Sequence, residues 1–115
     1  MKQNILQKWV RALRSGRYKQ VQTKLKHTDH KGVTRYCCLG VLCDLYSKEK
    51  GIKWKGDAYI NRTGVLPTAV IRWAGLENSN PKITRINNAS QLNDNGKRFK
   101  TIARLIEKAQ KEKRI

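Results

Sequence analysis

Near the amino terminus, apolar residues fall at Ile5, Leu6, Trp9, Val10 and Leu13, the spacing of one helical face. Lys8, Arg11 and Arg14 lie on another side; Asn4 is placed to cap this helix and Gly16 to end it. The period then shortens to two. Val21, Thr23 and Leu25 alternate with Gln22, Lys24 and Lys26, and Val33, Arg35 and Cys37 alternate with Thr34 and Tyr36. With Thr28-Asp29-His30-Lys31-Gly32 as the turn, this predicts a basic β-hairpin of residues 20–27 with 33–37. Helical spacing returns at Cys38, Val41, Leu42, Leu45 and Tyr46 and stops near Gly51. Gly40 inside that helix costs about 1 kcal/mol against Ala, so a close backbone approach is expected there.

Further along, Ile52 and Trp54 suggest a short strand, and 56–64 reads as a polar loop. Leu66-Pro67 opens a short helix through Val70, Ile71, Trp73 and Ala74 to Gly75, with Pro near its first position. Asn78-Ser79-Asn80-Pro81 is a turn. Ile83-Thr84-Arg85-Ile86 is expected as a strand with Ser90-Gln91-Leu92 as its partner. Phe99, Ile102, Ala103, Ile106 and Ala109 define the longest helix, about 97–112, with Asn93-Asp94-Asn95-Gly96 as the turn that caps it. No repeat or linker interrupts the chain. The pattern is α+β: one compact domain over residues 1–115, with about four helices around a small antiparallel sheet that includes the basic hairpin.

Charge changes this picture most. The chain has 26 Lys+Arg against 8 Asp+Glu, a formal net charge of +18. Residues 1–35 carry ten cations against Asp29, residues 36–75 six against three, and residues 76–115 ten against four. Both ends are basic and the middle is near balance, as expected if the middle supplies most of the core. Such an excess favours a polyanionic partner, because each neutralised phosphate releases condensed counterions. No basic helix carries a free apolar face of the membrane-surface kind, no run approaches the length of a membrane span, and Met1-Lys2-Gln3 leads into an amphipathic segment rather than a secretory core. Cys37, Cys38 and Cys43, three in one apolar run, do not describe a disulfide scaffold. A reducing cytoplasm is expected.

Several motifs in order have a further resemblance. Trp9…Ala12-Leu13-Arg14-Ser15-Gly16, Tyr18-Lys19-Gln20, Tyr36-Cys37-Cys38-Leu39-Gly40-Val41-Leu42-Cys43-Asp44-Leu45, Leu66-Pro67…Val70…Trp73-Ala74-Gly75-Leu76 and Leu92-Asn93-Asp94-Asn95-Gly96 before Phe99…Ile102-Ala103 resemble a family of small proteins of unassigned activity, common in phage genomes and prophages. The resemblance covers nearly the whole chain. It implies a phage-encoded accessory protein working in the bacterial cytoplasm, and carries over no activity and no cofactor.

Two basic clusters are candidate contacts for DNA or RNA. In the last helix Lys97, Lys100, Arg104, Lys108 and Lys111 recur opposite the Phe99/Ile102/Ile106 face, a stripe of about 20 Å at ~1.5 Å per residue; the competing role is a solvated face paired with Glu107 and Glu112. The hairpin and the turn before it supply Arg17, Lys19, Lys24, Lys26, Lys31 and Arg35, with Arg11 and Arg14 from the first helix. Tyr18 and Tyr36 interleave with these cations; exposed tyrosines stack on bases, but Tyr36, beside Cys37, reads as core, while Tyr18 fits either role. Phe99–Ile106 has the character of a first helix of a helix-turn-helix, but with Ile115 the last residue no recognition helix is expected.

Other chemistry is weaker. His27-Thr28-Asp29-His30 and Cys37-Cys38-x4-Cys43 bring metal-ligand types together, but not at zinc-finger spacing, and no metal is expected. Cys37 or Cys38 with His27 or His30 is the obvious thiol–imidazole pair, yet its apolar neighbours predict inert thiols. Asp44, Asp57 and Asp94 match no nuclease pattern, so no catalytic residue is assigned. A ligand site remains as an alternative. The start of the last helix with Tyr18, Gln20, Asn93 and Asp94 would hold a small anion or nucleotide. The expected function is nucleic-acid binding through phosphates with low sequence specificity. The alternative is inhibition of a host factor or defence system, by binding an acidic protein surface or sequestering a signalling nucleotide.

Overall fold

The computed structural model describes residues 1–56, 58–59 and 64–115. Among them the chain forms α1 (Gln3–Arg14), β1 (Lys26–Thr28), β2 (Thr34–Tyr36), α2 (Cys38–Lys50), α3 (Thr68–Ala74), α4 (Ala89–Asp94) and α5 (Phe99–Lys111). The architecture is α+β, with five helices and a two-stranded antiparallel sheet. No helix among these residues is long and apolar enough to cross a membrane.

The core is built on α2. Its first seven residues, Cys38 to Asp44, are all buried, as suits a helix enclosed on every side. α1, α3, α4 and β2 pack around it. Ile5, Leu6, Trp9, Val10, Ala12 and Leu13 turn the apolar stripe of α1 inward, and the Trp9 indole donates to the Cys38 carbonyl at 2.8 Å. α5 lies against α1 through Phe99, Ile102, Ala103, Ile106 and Ala109. Gly40 is where two backbones meet: a Cβ there would lie 1.7 Å from the Leu25 carbonyl oxygen.

The hairpin is shorter than its alternation suggests. The register is Lys26↔Tyr36, His27↔Arg35 and Thr28↔Thr34, and the turn is closed by Asp29, whose Oδ1 accepts from Lys31 N and Val33 N at 2.9 and 3.0 Å. Residues 20–25 are not part of this hairpin. Thr23 takes a left-handed φ of 68° and reverses the chain. Gln20 then bridges Tyr36 in parallel, with Tyr36 N–H donating to Lys19 O (2.7 Å) and Val21 N–H to Tyr36 O (2.9 Å).

The expected strand pair 83–86 with 90–92 is absent. Residues 89–94 form α4, opened by a capping box in which Asn88 Oδ1 accepts from Gln91 N (3.0 Å) and Gln91 Oε1 from Asn88 N (2.9 Å). Only an isolated Lys82–Asn88 bridge remains of the pairing. Around Ile52 and Trp54 the expected strand reduces to a Lys55–Ala58 bridge. Pro67 is the N-cap of α3 rather than its first residue, Asn4 lies inside α1 behind Lys2, and α5 starts from Arg98 without a side-chain cap. Asn93 and Asp94 therefore close α4 instead of capping α5.

Candidate nucleic-acid interface

The buried face of α5 fixes the direction of its charged side. Lys100, Arg104, Lys108 and Lys111 are exposed opposite Phe99, Ile102 and Ile106. At ~100° per residue the four fall within an arc of about 80°, and from Lys100 to Lys111 they span about 16 Å. Lys97 precedes the helix, so the helical stripe is shorter than expected, but it covers roughly five phosphates of one strand at ~3.4 Å of duplex axis each.

The two carboxylates of this region turn to the flanks of the stripe. Glu107 takes Arg14 of α1 at 2.5 Å, and that hydrogen bond holds its carboxyl below the usual range. Glu112 pairs with Arg114. Among the described residues Lys100, Arg104 and Lys108 form no ion pair. The Lys100–Lys108 part of the crest therefore carries positive charge with no ion-pair partner among the described residues.

A groove runs along each side of this crest. Between α1 and α5 a cavity of about 340 Å³ is lined by Leu6, Val10, Arg11, Arg14, Glu107 and Lys111. On the other side a cavity of about 550 Å³ separates α5 from the loop after Ile83, with Arg85, Ile86, Lys97, Leu105, Lys108 and Arg114 among its walls. Arg85 and Ile86 escape the sequence pattern, because 83–86 reads as a strand with Ile83 and Ile86 as its apolar positions.

The hairpin cations are less available. Arg35 pairs with Asp29 at 3.0 Å. Lys26 is half-buried, its ammonium 5.0 Å from the Trp54 ring centre and 6.0 Å from that of Tyr36. Lys24 Nζ lies 3.4 Å from His27 Nδ1. Arg17, Lys19 and Lys31 stay exposed. The loop of Lys19 is tied to the segment before α5, since Gln20 Nε2 donates to the Lys97 carbonyl at 2.8 Å. One end of the hairpin cluster thus adjoins the α5 stripe.

Both tyrosines are half-buried, and both are engaged with other rings. Tyr18 and Tyr36 meet edge to face at 5.1 Å, and the row continues through Trp54, Tyr59 and Tyr46 to Trp73. Tyr18 donates to Asp44 Oδ2 at 2.6 Å, while Trp54 Nε1 reaches Asp44 Oδ1 at 3.1 Å and Lys48 approaches at 3.3 Å. Burial, then the bond to Asp44, pushes the Tyr18 hydroxyl up; burial takes that of Tyr36 to about 12. Tyr18 is thereby resolved as a half-buried partner of the core.

The polar set Gln20, Asn93 and Asp94 does come together, but Tyr18 is not part of it. Asn93 is fully buried. Its Oδ1 accepts from Gln20 Nε2 (2.8 Å) and Cys38 N (3.1 Å), and its Nδ2 donates to Val21 O (2.7 Å). Asp94 Oδ1 accepts from Thr23 N at 2.8 Å. These groups staple the 19–23 loop to α4 and α2, and Gln20 and Asn93 also line a cavity of about 370 Å³.

The cysteines are structural in the same sense. Cys37 is the N-cap of α2, its Sγ accepting from Gly40 N at 3.4 Å, and Cys38 Sγ donates to Ala89 O at 3.4 Å. Burial pushes the Cys37 thiol up to about 11 and holds those of Cys38 and Cys43 well above the usual range. Among the described residues no three His, Cys, Asp or Glu side chains gather as a metal site. Asp57 lies outside the described residues.

These features define a small α+β domain with a row of exposed cations along its last helix. The chain belongs to the family described as a domain of unknown function, DUF8296, which matches residues 1–110 and so runs from α1 almost to the end of α5. No curated protein and no solved structure is similar to it.

Proposed function

We propose that this protein binds nucleic acid, chiefly through the phosphate backbone and with little sequence selectivity. The observation that carries the reading is the α5 crest. Lys100, Arg104 and Lys108 share one exposed arc without a carboxylate partner among the described residues, and Arg11, Lys97 and Arg85 extend the positive surface to both sides. Phosphate contacts require cations and reach, not a shaped base pocket. Tyr18 and Tyr36 are half-buried and packed edge to face on each other. The resemblance to proteins of phage genomes supports an accessory role in the cytoplasm of an infected bacterium.

The test is fluorescence anisotropy with labelled duplex DNA, single-stranded DNA and RNA over a salt series. Binding in the micromolar range or tighter, weakening steeply with salt, is expected. The triple variant Lys100→Glu, Arg104→Glu, Lys108→Glu should weaken binding sharply and flatten the slope of log K against log salt by about 2–3, at ~0.9 per phosphate on a duplex. Unchanged affinity removes α5 from the interface. No binding at low salt refutes the reading and turns attention to an acidic protein or nucleotide target, which a pull-down from nuclease-treated lysate separates.

A further inference from the structure

Among the described residues two large apolar side chains stand out into solvent, Ile52 at 36% and Ile86 at 80% exposure. A single exposed isoleucine is ordinary on a protein surface. The setting of Ile86 is not. It sits at the tip of a tight loop that begins from Ile83, which is fully buried. The loop is closed at its base, where Ile83 N–H and Thr84 N–H both donate to Asn87 O at 3.0 and 3.1 Å. From inside, Thr84 Oγ1 accepts from Asn87 N at 2.9 Å and from Ile86 N at 3.4 Å. The outward position of Ile86 is therefore braced by the backbone.

Around this tip cations predominate. Arg85 precedes it, and across the adjoining 550 Å³ groove stand Lys97, Lys108 and Arg114, with Leu105 at the wall. Glu112 is the acidic residue lining that groove, and Arg114 holds it. An apolar tip flanked by cations on two sides suits the minor groove of a duplex. That groove is about 6 Å wide between phosphate rows, and aliphatic side chains are inserted there as wedges that unstack one base step and bend the helix.

We infer that Ile86 is such a wedge: it enters a base step of duplex DNA while Arg85 on one side and Lys97 and Lys108 on the other hold the phosphates. This inference rests on the phosphate-binding reading above and adds bending to it. The favoured steps are the easily unstacked pyrimidine–purine ones, so the protein gains a preference for deformable sequence without hydrogen bonds to bases.

The experiment measures binding and bending separately. A duplex of about 20 base pairs carries a fluorescence donor and acceptor at its two ends and is titrated with native protein and with Ile86→Ala. Native protein should raise the transfer efficiency as it binds, by a bend of roughly 20–90°. Ile86→Ala should bind about 3–10-fold more weakly, with an unchanged salt slope because no cation is lost, and leave the transfer efficiency near that of free duplex. Its thermal unfolding should match the native protein, since the side chain is exposed. An equal bend by Ile86→Ala, or tight duplex binding by native protein without any bend, overturns the wedge and leaves phosphate binding standing. Absence of duplex binding by native protein overturns both. An acidic protein captured after nuclease treatment and lost with Ile86→Ala overturns the wedge in favour of a protein contact.

Discussion

Replacing Gly40 by alanine sets two physical rules against each other. In a solvent-exposed helix the change stabilises by about 1 kcal/mol. Here the new methyl would lie 1.7 Å from the Leu25 carbonyl oxygen, 2.6 Å from its carbon and 3.1 Å from its Cα. Reaching even the 3.0 Å limit of real contacts requires the two backbones to part by about 1.3 Å. Neither has slack. The Leu25 carbonyl accepts from Cys37 N–H at 3.2 Å, the Leu25 side chain is fully buried, and Lys26 next to it is paired with Tyr36. Overpacking costs about 1–3 kcal/mol, and losing the Leu25–Cys37 bond adds about 1 kcal/mol. Set against the helix gain, the net loss is about 1–3 kcal/mol, or a fall in Tm on the order of 10 °C. Urea unfolding followed by circular dichroism measures it. An alanine variant as stable as the native protein, or more so, refutes the close approach of α2 to the 25–26 backbone.

Asn93→Ala removes the shared partner of Gln20, Val21 and Cys38. With the Cys38 N–H and Val21 C=O left unpaired at ~1–3 kcal/mol each, a loss of about 3 kcal/mol is expected in the same assay, and a loss under ~1 kcal/mol would show that the network does not hold the 19–23 loop. The three buried cysteines, with thiols pushed above their usual range by burial, should resist a disulfide reagent at mildly alkaline pH in the native protein and react fully in denaturant; a fast native fraction would place a thiol at the surface. Salt should act with opposite signs on two melting curves. It should raise the Tm of the free protein by screening the repulsion among its +18 charges, while shrinking the added stability that saturating duplex provides. A duplex-induced shift that grows with salt contradicts phosphate binding.

The elements with several turns or a clear stripe are legible from sequence. The i, i+4 spacing of Ile5, Trp9 and Leu13 and the i, i+3, i+7 spacing of Phe99, Ile102 and Ile106 suffice for α1 and α5, and Gly40 announces the contact that it makes. α4 is too short for periodicity to show, and its only local mark is the Asn88–Gln91 capping box. The 20–25 segment alternates as a strand would, but a left-handed Thr23, fastened by Asp94 from 71 positions away, reverses it. That contact is invisible in a local pattern. The same holds for Gln20 and Asn93, which are recognisable as ligand-binding types but find their partners within the chain. Arg85 and Ile86 go unnoticed for the converse reason: an apparent strand is a loop that carries them to the surface.

The distribution of acids argues that the positive charge of α5 is not a requirement of the fold. Carboxylates stand where elements meet: Asp44 holds Tyr18 and Trp54, Glu49 links Lys8 to Trp73, Asp29 closes the hairpin, and Glu107 joins α5 to Arg14. At the start of α5 the arrangement is the reverse of what stability favours. Lys97, Arg98 and Lys100 cluster at the positive end of the helix dipole, with no acid in the first turn and no side-chain cap, where a carboxylate would be favoured by ~0.3–1 kcal/mol. Lys100 and Arg104, then Arg104 and Lys108, are like charges one turn apart, each pair costing about 0.2–0.5 kcal/mol. No core contact, cap or ion pair among the described residues offsets these terms. Such a surface lowers stability in isolation, on a helix buried through Phe99, Ile102, Ala103, Ile106 and Ala109; under the proposed function, an anionic partner would supply the missing negative charge.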